Sequence, residues 1–257
     1  SGNGTFGTAS VYGVGVHNPW GVAVADFNGD GKADIVTTNS GTDMSVLLGN
    51  GNGTFGTASV YTASGFHPYY LGVADLNNDG RYDIVTSDWA NNTVSVLLGN
   101  GNGSFGVAHA YSVGAGWPLE MALADFNGDH YADIVTADYT SDAVSVLLNN
   151  GDGTFGTANV YGVGSRPQVV AAADLNGDGK VDIVSADRFD KTVSVLLGNG
   201  NGTFGTSSAY DAGGAGPTTD TEFVTLGDIN GDGKIDIVAT NSNANTVSVL
   251  LGNGNGN

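Results

Sequence analysis

The sequence predicts an all-β protein, a five-bladed β-propeller built from four-stranded antiparallel blades. An acidic nine-residue stretch occurs five times, at spacings of 49, 50, 49 and 54 residues, and a period near 50 is typical of a propeller blade. Glycine contributes 43 of the 257 residues, which disfavours long helices. We therefore expect one domain, residues 1–257, with repeats at about 13–61, 62–111, 112–161, 162–210, and 211–257 together with 1–12.

Each repeat has room for four short strands, predicted in the first repeat at residues 21–25, 33–38, 44–48 and 54–61. The first strand carries small side chains, which suits an inner strand that crowds around a narrow axis. The third is apolar enough to be buried, and the fourth starts with Thr-Phe-Gly. Because consecutive strands are antiparallel, the acidic loops and the third-to-fourth-strand turns are expected on one face, and the other loops on the opposite face.

The two ends of the sequence complement each other. It begins with a lone fourth strand and ends with a lone set of the first three strands. The N-terminal strand is therefore expected to complete the last blade and close the ring, which would remove exposed sheet edges.

The acidic stretch has the side-chain order of a calcium loop. Oxygen-bearing side chains occupy positions 1, 3, 5 and 9, and the carbonyl of position 7 would add a ligand, which matches the preference of Ca²⁺ for six to eight oxygens. We expect about five Ca²⁺, one per repeat. The predicted ligands are Asp26, Asn28, Asp30, Lys32 and Asp34; Asp75, Asn77, Asp79, Arg81 and Asp83; Asp125, Asn127, Asp129, Tyr131 and Asp133; Asp174, Asn176, Asp178, Lys180 and Asp182; and Asp228, Asn230, Asp232, Lys234 and Asp236.

Ordinary Asp-Gly and Asn-Gly hairpin turns are the alternative interpretation of one such stretch. Five copies favour calcium, because a simple turn does not need three converging aspartates. An EF-hand is excluded by the Asp at position 9 and the missing Glu at position 12. His130 replaces a glycine at a position that is expected to need a positive φ angle.

The composition limits the possible partners. The formal net charge is −19, which argues against nucleic acid and anionic membranes, and five bound Ca²⁺, each with two positive charges, would reduce it to about −9. The sequence has no cysteine and no apolar run long enough for a membrane span. Ser1 opens directly into a repeat, so any signal peptide is expected to be absent or removed.

These motifs resemble the FG-GAP repeat, also described as VCBS-type, of integrin alpha-subunit propellers and many secreted bacterial proteins. The Phe6-Gly7 pair and its four copies carry the resemblance. A Gly-Ala-Pro element survives most literally as Ala215-Gly216-Pro217, and elsewhere mainly as Pro19, Pro68, Pro118 and Pro167. The resemblance implies a calcium site at the acidic loops, and with it we expect a secreted protein. That family is mostly seven-bladed, whereas this sequence has five repeats.

Candidate ligand-binding residues lie on the face opposite the acidic loops, where the repeats differ most. Aromatic rims beside polar groups suit sugar rings, and fungal lectins that resemble this family bind sugars between blades, so carbohydrate or glycoprotein is the favoured partner. The candidates are Trp20, Tyr69, Tyr70, Trp89, Trp117, Tyr139, Phe189, His17, His67, Arg166 and Arg188. Packing of loops against each other is the alternative interpretation. Asn39, Asp88, Asp138, Asp187 and Asn241 recur at one position and are expected to cap a turn.

Two other functions stay open at this point. Glu120 and Glu222 both precede an inner strand, and a carboxylate pair could serve glycan cleavage, although they belong to repeats that are not neighbours. No nucleophile motif or phosphate loop is present. We therefore expect a binding module and no catalytic residues. A pure adhesion or scaffold protein, natural or designed, is the third possibility.

Overall fold

The chain folds into five antiparallel β-sheets arranged around a common axis. The structure, a computed structural model, describes residues 6–15, 17–65, 67–114, 116–213 and 220–256. The strands are β1 (Pro19–Ala25), β2 (Asp34–Asn39), β3 (Asp43–Leu47), β4 (Ser59–Thr62), β5 (Pro68–Ala74), β6 (Asp83–Asp88), β7 (Thr93–Leu97), β8 (His109–Ser112), β9 (Pro118–Ala124), β10 (Asp133–Asp138), β11 (Ala143–Leu147), β12 (Asn159–Gly162), β13 (Pro167–Ala173), β14 (Asp182–Asp187), β15 (Thr192–Leu196), β16 (Ser208–Asp211), β17 (Thr221–Gly227), β18 (Asp236–Asn241) and β19 (Thr246–Leu250). A 3₁₀ turn covers Ser242–Ala244.

The sheets are consecutive up-and-down meanders, as the repeat predicts. We call them blades 1 to 5: β1–β4, β5–β8, β9–β12, β13–β16 and β17–β19. In blades 1 to 4 the two middle strands are the most buried, whereas the outermost strand is mostly exposed, as in blade 2. The predicted all-β class and the five antiparallel blades are thus confirmed.

The outermost strand is shorter than predicted. The ladder resumes only at Ser59 in blade 1, and Phe55 forms an isolated bridge with Gly49. Blades 2 to 4 repeat this arrangement with Phe105, Phe155 and Phe204. In blade 1, residues 56–58 connect this bridge to β4 and belong to no strand. The phenylalanine is therefore an anchor that precedes the strand.

The fifth blade has three strands, and the predicted fourth one is absent from the described residues. Residues 6–15 form no strand, and β19 has β18 as its single partner. Phe6 is 101% exposed, which shows that no sheet covers it. Residues 6–12 are thus not paired with β19 in this structure; the expectation that residues 1–12 complete the blade also involves residues 1–5, which lie outside the described part.

Adjacent blades are joined by four apolar clusters, which draw on largely equivalent positions of the repeat. Between blades 1 and 2, for example, Phe27, Val36 and Met44 of one blade pack against Ile84 and Phe105 of the next. The equivalent cluster between blades 3 and 4 contains Phe126 and Phe204, whose ring centroids are 5.5 Å apart. The core therefore lies between the sheets, and each blade depends on its neighbours.

The prolines mark where inner strands begin. Pro19, Pro68, Pro118 and Pro167 are the first residues of β1, β5, β9 and β13, and the register with the second strand shifts just after each of them. Proline lacks an N–H, so it is tolerated at a strand start beside such a bulge. Ala215, Gly216 and Pro217 lie outside the described residues.

The acidic loops and the third-to-fourth-strand turns lie together, as expected. Gly51 of the turn lies directly beside Lys32 of the first acidic loop. A Cβ atom added to Gly51 would be only 2.9 Å from the Lys32 side chain. Within the described residues, no helix is long and apolar enough to cross a membrane.

Candidate ligand face and acidic loops

The five acidic loops share one hydrogen-bonded conformation. In the first, the two carboxylate oxygens of Asp26 accept the N–H groups of Asp30 (3.1 Å) and Gly31 (2.7 Å). Asn28 Oδ1 accepts the Asp30 N–H at 3.0 Å, and Asp30 Oδ1 accepts that of Lys32 at 2.9 Å. An Asn or Asp side chain that accepts the N–H two residues later, as Asn28 and Asp30 do, forms an Asx turn. Positions 1, 3 and 5 therefore shape the loop.

The aspartate at position 9 anchors the loop to the blade. Asp83 is fully buried, and its two oxygens accept the N–H groups of Leu76 at 2.8 Å and Gly99 at 2.7 Å. Burial raises the pKa of Asp83 to about 6; these hydrogen bonds oppose the rise, and the charges of Asp79 and Asp75 add to it. One carboxylate thus joins the acidic loop to the turn before the outermost strand.

Metal binding was predicted for these loops, and their donor chemistry fits a hard cation. Each loop offers carboxylate and amide oxygens, the donors that Ca²⁺ prefers. In the part of the chain that the structure describes, however, no three His, Cys, Asp or Glu side chains are gathered where they could hold a metal ion. Each predicted aspartate already accepts backbone hydrogen bonds, so the loop conformation alone does not require a cation.

The side chain at position 7 has a role that the sequence analysis missed. Lys32 Nζ lies 3.0 Å from Asp30 Oδ2, Lys180 Nζ lies 3.4 Å from Asp178 Oδ2, and Arg81 approaches Asp79. These pairs are exposed and contribute little stability each. They nevertheless place a positive charge beside the position-5 carboxylate. The pattern was visible in the sequence as a basic residue two positions after an aspartate.

His130 confirms the expected backbone conformation at position 6. Its φ angle is 71°, close to the 78° and 80° of Gly31 and Gly179 at the same position. The His130 side chain is almost fully exposed. The third loop therefore keeps the shared conformation despite a residue for which positive φ is uncommon.

Five of the predicted aromatic residues form one rim on the opposite face. They surround a shallow depression of about 250 Å³, which is also lined by Leu119, and they are Trp20, Tyr69, Trp89, Trp117 and Tyr139. Trp20 and Tyr69 contact edge to face at 4.9 Å, as do Trp89 and Trp117 at 5.2 Å. Trp117 and Tyr139 are parallel at 6.5 Å. We call this surface the aromatic rim.

The rim combines exposure with backbone strain. Trp20 is 46% exposed and Trp117 is 45% exposed, although both are large apolar side chains. Trp117, His67 and Arg166 each precede a proline and have φ angles of 27°, 59° and 56°. Positive φ is uncommon for such residues, and strained backbone conformations cluster at functional sites. The structure thus exposes aromatic side chains on segments that contain energetically unfavourable backbone conformations.

The two predicted arginines surround Phe189. The Arg166 guanidinium lies 4.5 Å from the Phe189 ring centroid and 5.2 Å from that of Tyr139. Arg188 Nε is 3.1 Å from Asp220 Oδ2, and its Nη2 is 3.4 Å from Glu222 Oε1. Arg166 therefore extends the aromatic rim with a stacked cation, whereas Arg188 is engaged with carboxylates.

The two predicted histidines occupy different settings. His67 stacks on Trp89 with 5.4 Å between ring centroids, so it supports the aromatic rim. His17 Nδ1 lies 3.0 Å from Asp43 Oδ2. His17 is not among the residues that line the depression.

Tyr70 points to a second, axial cavity. This cavity measures about 730 Å³ and receives residues from all five inner strands, including Trp20, Tyr70, Glu120, Gln168 and Phe223. Burial raises the pKa of Glu120 to about 7, and a hydrogen bond from the Tyr70 hydroxyl opposes that rise. Gln168 and Phe223 were not predicted as site residues, because nothing in their local sequence marks an axial position.

The recurring polar position belongs to the blade interior. Asn39, Asp88, Asp138, Asp187 and Asn241 are at most 1% exposed. Asp138 accepts from Thr136 Oγ1 at 2.8 Å and from Ser145 Oγ at 2.5 Å, whereas Asn39 Nδ2 donates to Ser45 Oγ at 2.8 Å. The expectation of turn caps was therefore incomplete, because these side chains join two strands through buried hydroxyl groups.

The chain belongs to the FG-GAP-like repeat family. The family model matches five overlapping segments, residues 1–37, 26–86, 75–136, 125–185 and 174–239. This match confirms the resemblance that the Phe-Gly pairs and acidic loops indicated. A search among curated proteins found no significant match.

Solved structures with a similar fold include a lectin and enzymes. A lectin from Agrocybe aegerita that recognises non-reducing terminal N-acetylglucosamine is 27% identical, with a TM-score of 0.65 over 93% of this chain and 64% of the lectin chain. The virginiamycin B lyase of Staphylococcus aureus is 13% identical (TM-score 0.60; 91% and 70% covered). A Bacteroides fragilis protein described as a putative 6-phosphogluconolactonase is 16% identical (TM-score 0.60; 90% and 69% covered).

These comparisons support the propeller fold. The two proteins below 25% identity show the fold alone. The chain spans 64% of the lectin's length.

Proposed function

We propose that this protein is a carbohydrate-binding module and that the aromatic rim is its binding surface. The observation that carries the proposal is the set of five aromatic side chains, from three neighbouring blades, around one apolar depression. Sugar rings have an apolar face that stacks on aromatic rings, and their hydroxyl groups need polar partners at the edge. Arg166, whose guanidinium lies over the Tyr139 ring, supplies such a donor.

The similarity to a lectin supports the same class of ligand. That protein recognises terminal N-acetylglucosamine, which makes this sugar the first ligand to test.

We propose binding and not catalysis, because the two candidate carboxylates are engaged differently. Glu222 pairs with Arg188, and Glu120 faces the axial cavity beside Tyr70.

Calorimetric titration with N-acetylglucosamine and its oligomers, after a glycan array, tests the proposal. Trp117→Ala should reduce affinity at least tenfold, because it removes a central, exposed element of the rim. Tyr82→Ala is the matched control: Tyr82 is 44% exposed but belongs to an acidic loop on the other face, so its loss should leave binding unchanged. No binding to any glycan, or equal losses in both variants, would reject the proposal.

We also propose that the acidic loops bind Ca²⁺ and that the protein acts outside the cell. The support is the oxygen donor set, present in five copies. Extracellular modules bind Ca²⁺ with dissociation constants of roughly 10⁻⁴ to 10⁻³ M, so about 1 mM Ca²⁺ would supply on the order of 0.5 to 1.5 kcal/mol per site.

Titration of chelator-treated protein with Ca²⁺ tests this second proposal. We expect about five ions per chain and a melting temperature that rises with Ca²⁺. Asp30→Asn should remove one site, whereas Asp152→Asn, an exposed acidic residue outside the loops, should remove none. A melting temperature that chelator leaves unchanged, together with no heat of binding, would contradict it.

A further inference from the structure

The axial cavity combines aromatic walls with one carboxyl group. Trp20, Tyr69, Tyr70 and Phe223 line it, and all of these except Tyr70 are 37% to 49% exposed. Aromatic rings present a negative face, which attracts cations. Among the described residues that line the cavity, Glu120 is the one acidic residue, and no Lys or Arg lies there. The lining therefore favours a positively charged ligand.

Glu120 has no positively charged partner in the described part of the chain. None of the ion pairs found there includes it. Burial raises the pKa of Glu120 to about 7, and its hydrogen bond from the Tyr70 hydroxyl opposes the rise. A carboxylate that is partly removed from water without a counter-charge costs free energy. A cation bound beside Glu120 would offset this cost.

Gln168 supplies a second acceptor to the same cavity. Its side-chain Oε1 is buried and accepts no hydrogen bond. A buried acceptor that lacks a donor carries the full cost of its lost contact with water. A small rotation of the amide would bring this oxygen to an N–H group of a ligand in the cavity. The cavity therefore offers acceptors and lacks donors for them.

Bulges in the inner strands turn consecutive side chains toward the cavity. In β5 the register with β6 shifts, so that Tyr69 and Tyr70 lie opposite Ser87 alone. β1 and β9 have the same shift at the equivalent positions. Neighbouring side chains of a regular strand point to opposite faces, whereas a bulge re-aims them, often next to a functional site. The bulge thus explains why both Tyr69 and Tyr70 line the cavity.

Hydroxyl groups hold the neighbouring inner strands together at these bulges. Ser87 Oγ accepts the N–H of Tyr70 at 3.2 Å and donates to the carbonyl of Leu119 at 2.6 Å. Thr38 links β1 to β5 in the same way. The strands that carry Tyr70 and Glu120 are therefore fixed relative to each other, and such preorganisation lowers the cost of binding.

We propose that the axial cavity binds a small primary ammonium ion with an apolar body, whose N–H groups donate to Glu120 and Gln168. The aromatic residues would contact the apolar body and the cation. A quaternary ammonium ion has no N–H group for the two acceptors, and an anion would be repelled by Glu120. This site goes beyond the carbohydrate surface proposed above, because Glu120 and Gln168 line the cavity and not the depression of the aromatic rim.

Calorimetric titration with 2-phenylethylammonium at pH 8 tests the proposal. At that pH Glu120 is mainly ionised, and a primary ammonium group keeps its proton as a lysine does. We expect about one ion bound per chain. The neutral 2-phenylethanol and the N–H-free 2-phenylethyl trimethylammonium ion should each bind at least about tenfold more weakly, because one lacks the charge and the other lacks the donors.

Glu120→Gln should weaken the binding of 2-phenylethylammonium at least about tenfold, because it removes the charge and keeps the shape. Glu222→Gln is the matched control: Glu222 pairs with Arg188 and does not line the cavity, so its loss should leave binding unchanged. Gln168→Leu should weaken binding about threefold or more, because it removes the second acceptor.

Three results would overturn the proposal. They are no binding of 2-phenylethylammonium by the parent protein, equal affinity for the alcohol or the quaternary ion, and equal losses in the two glutamate variants.

Discussion

Single side chains decide how charge is accommodated inside the blades. The same buried position holds Asn in blades 1 and 5 and Asp in blades 2, 3 and 4. Burial raises the pKa of Asp138 to about 7, and the hydrogen bonds from Ser145 and Thr136 offset it only in part. The native state therefore binds a proton that the unfolded state has released between about pH 4 and pH 7.

Asp138→Asn should stabilise the protein at neutral and alkaline pH. Because the native pKa is raised, the stability associated with Asp138 is present below about pH 4 and is lost as the pH rises to about 7. Replacing it with Asn, as at Asn39, should raise the free energy of unfolding at pH 8 by on the order of 1 to 4 kcal/mol. Chemical denaturation at pH 4 and pH 8 measures this change. An equal effect of the substitution at both pH values would contradict the buried charge.

Some residues of the candidate site could be predicted from their type and position in the sequence, and others could not. The acidic loops and the aromatic residues stand out by residue type and position. Tyr70 was grouped with Tyr69 because both are aromatic, yet Tyr69 lines both the depression and the axial cavity, whereas Tyr70 lines only the axial cavity. The axial role of Gln168 and Phe223 depends on how five strands converge, which no local pattern encodes.

At the scale of the element, the outermost strand depends on one anchor. Phe105 is 8% exposed and packs between Phe27 and Tyr61 of the preceding blade. The following ladder of His109–Ser112 is only four residues long. The anchor therefore holds the outermost strand in place.

Phe105→Ala should destabilise the protein strongly. Loss of a buried phenyl ring typically costs about 3 to 5 kcal/mol, because it removes contacts and leaves a cavity. Thermal or denaturant unfolding measures the cost, and Val107→Ala, two residues away but exposed, should change it by less than about 0.5 kcal/mol. Similar stability of both variants would show that the anchor is dispensable.

Strand positions were predicted well where the pattern is strong. The inner three strands of blade 1 were expected within two residues of their observed bounds, because apolar alternation and flanking turns define them. The outermost strand was predicted too long, since residues 56–58, which follow Phe55, belong to no strand. Repeat counting could not report that residues 6–12 are unpaired with β19, because it does not specify where distant segments lie in space.

At the scale of the whole molecule, charge is the dominant feature. The formal net charge of −19 arises from 26 acidic and 7 basic residues, and much of it is concentrated in the loops on one face. Repulsion among exposed carboxylates destabilises the compact state and is screened by salt, with a Debye length of about 8 Å at 0.15 M.

The melting temperature should therefore rise with NaCl between about 10 mM and 500 mM in the presence of chelator. Calorimetry at constant pH measures it. The rise should be smaller in the presence of Ca²⁺ if the loops bind the ion, because the same charges would already be neutralised. A melting temperature that does not depend on salt in chelator would show that the loop carboxylates are compensated by their own hydrogen bonds.

The repeated interface between blades affects how the number of repeats can change during evolution. The apolar clusters between neighbouring blades use largely equivalent positions of the repeat. A gene that gained or lost one unit of 49 or 50 residues by unequal recombination would still encode blades whose faces match. Blade number can therefore vary in descendants without the invention of any new packing arrangement.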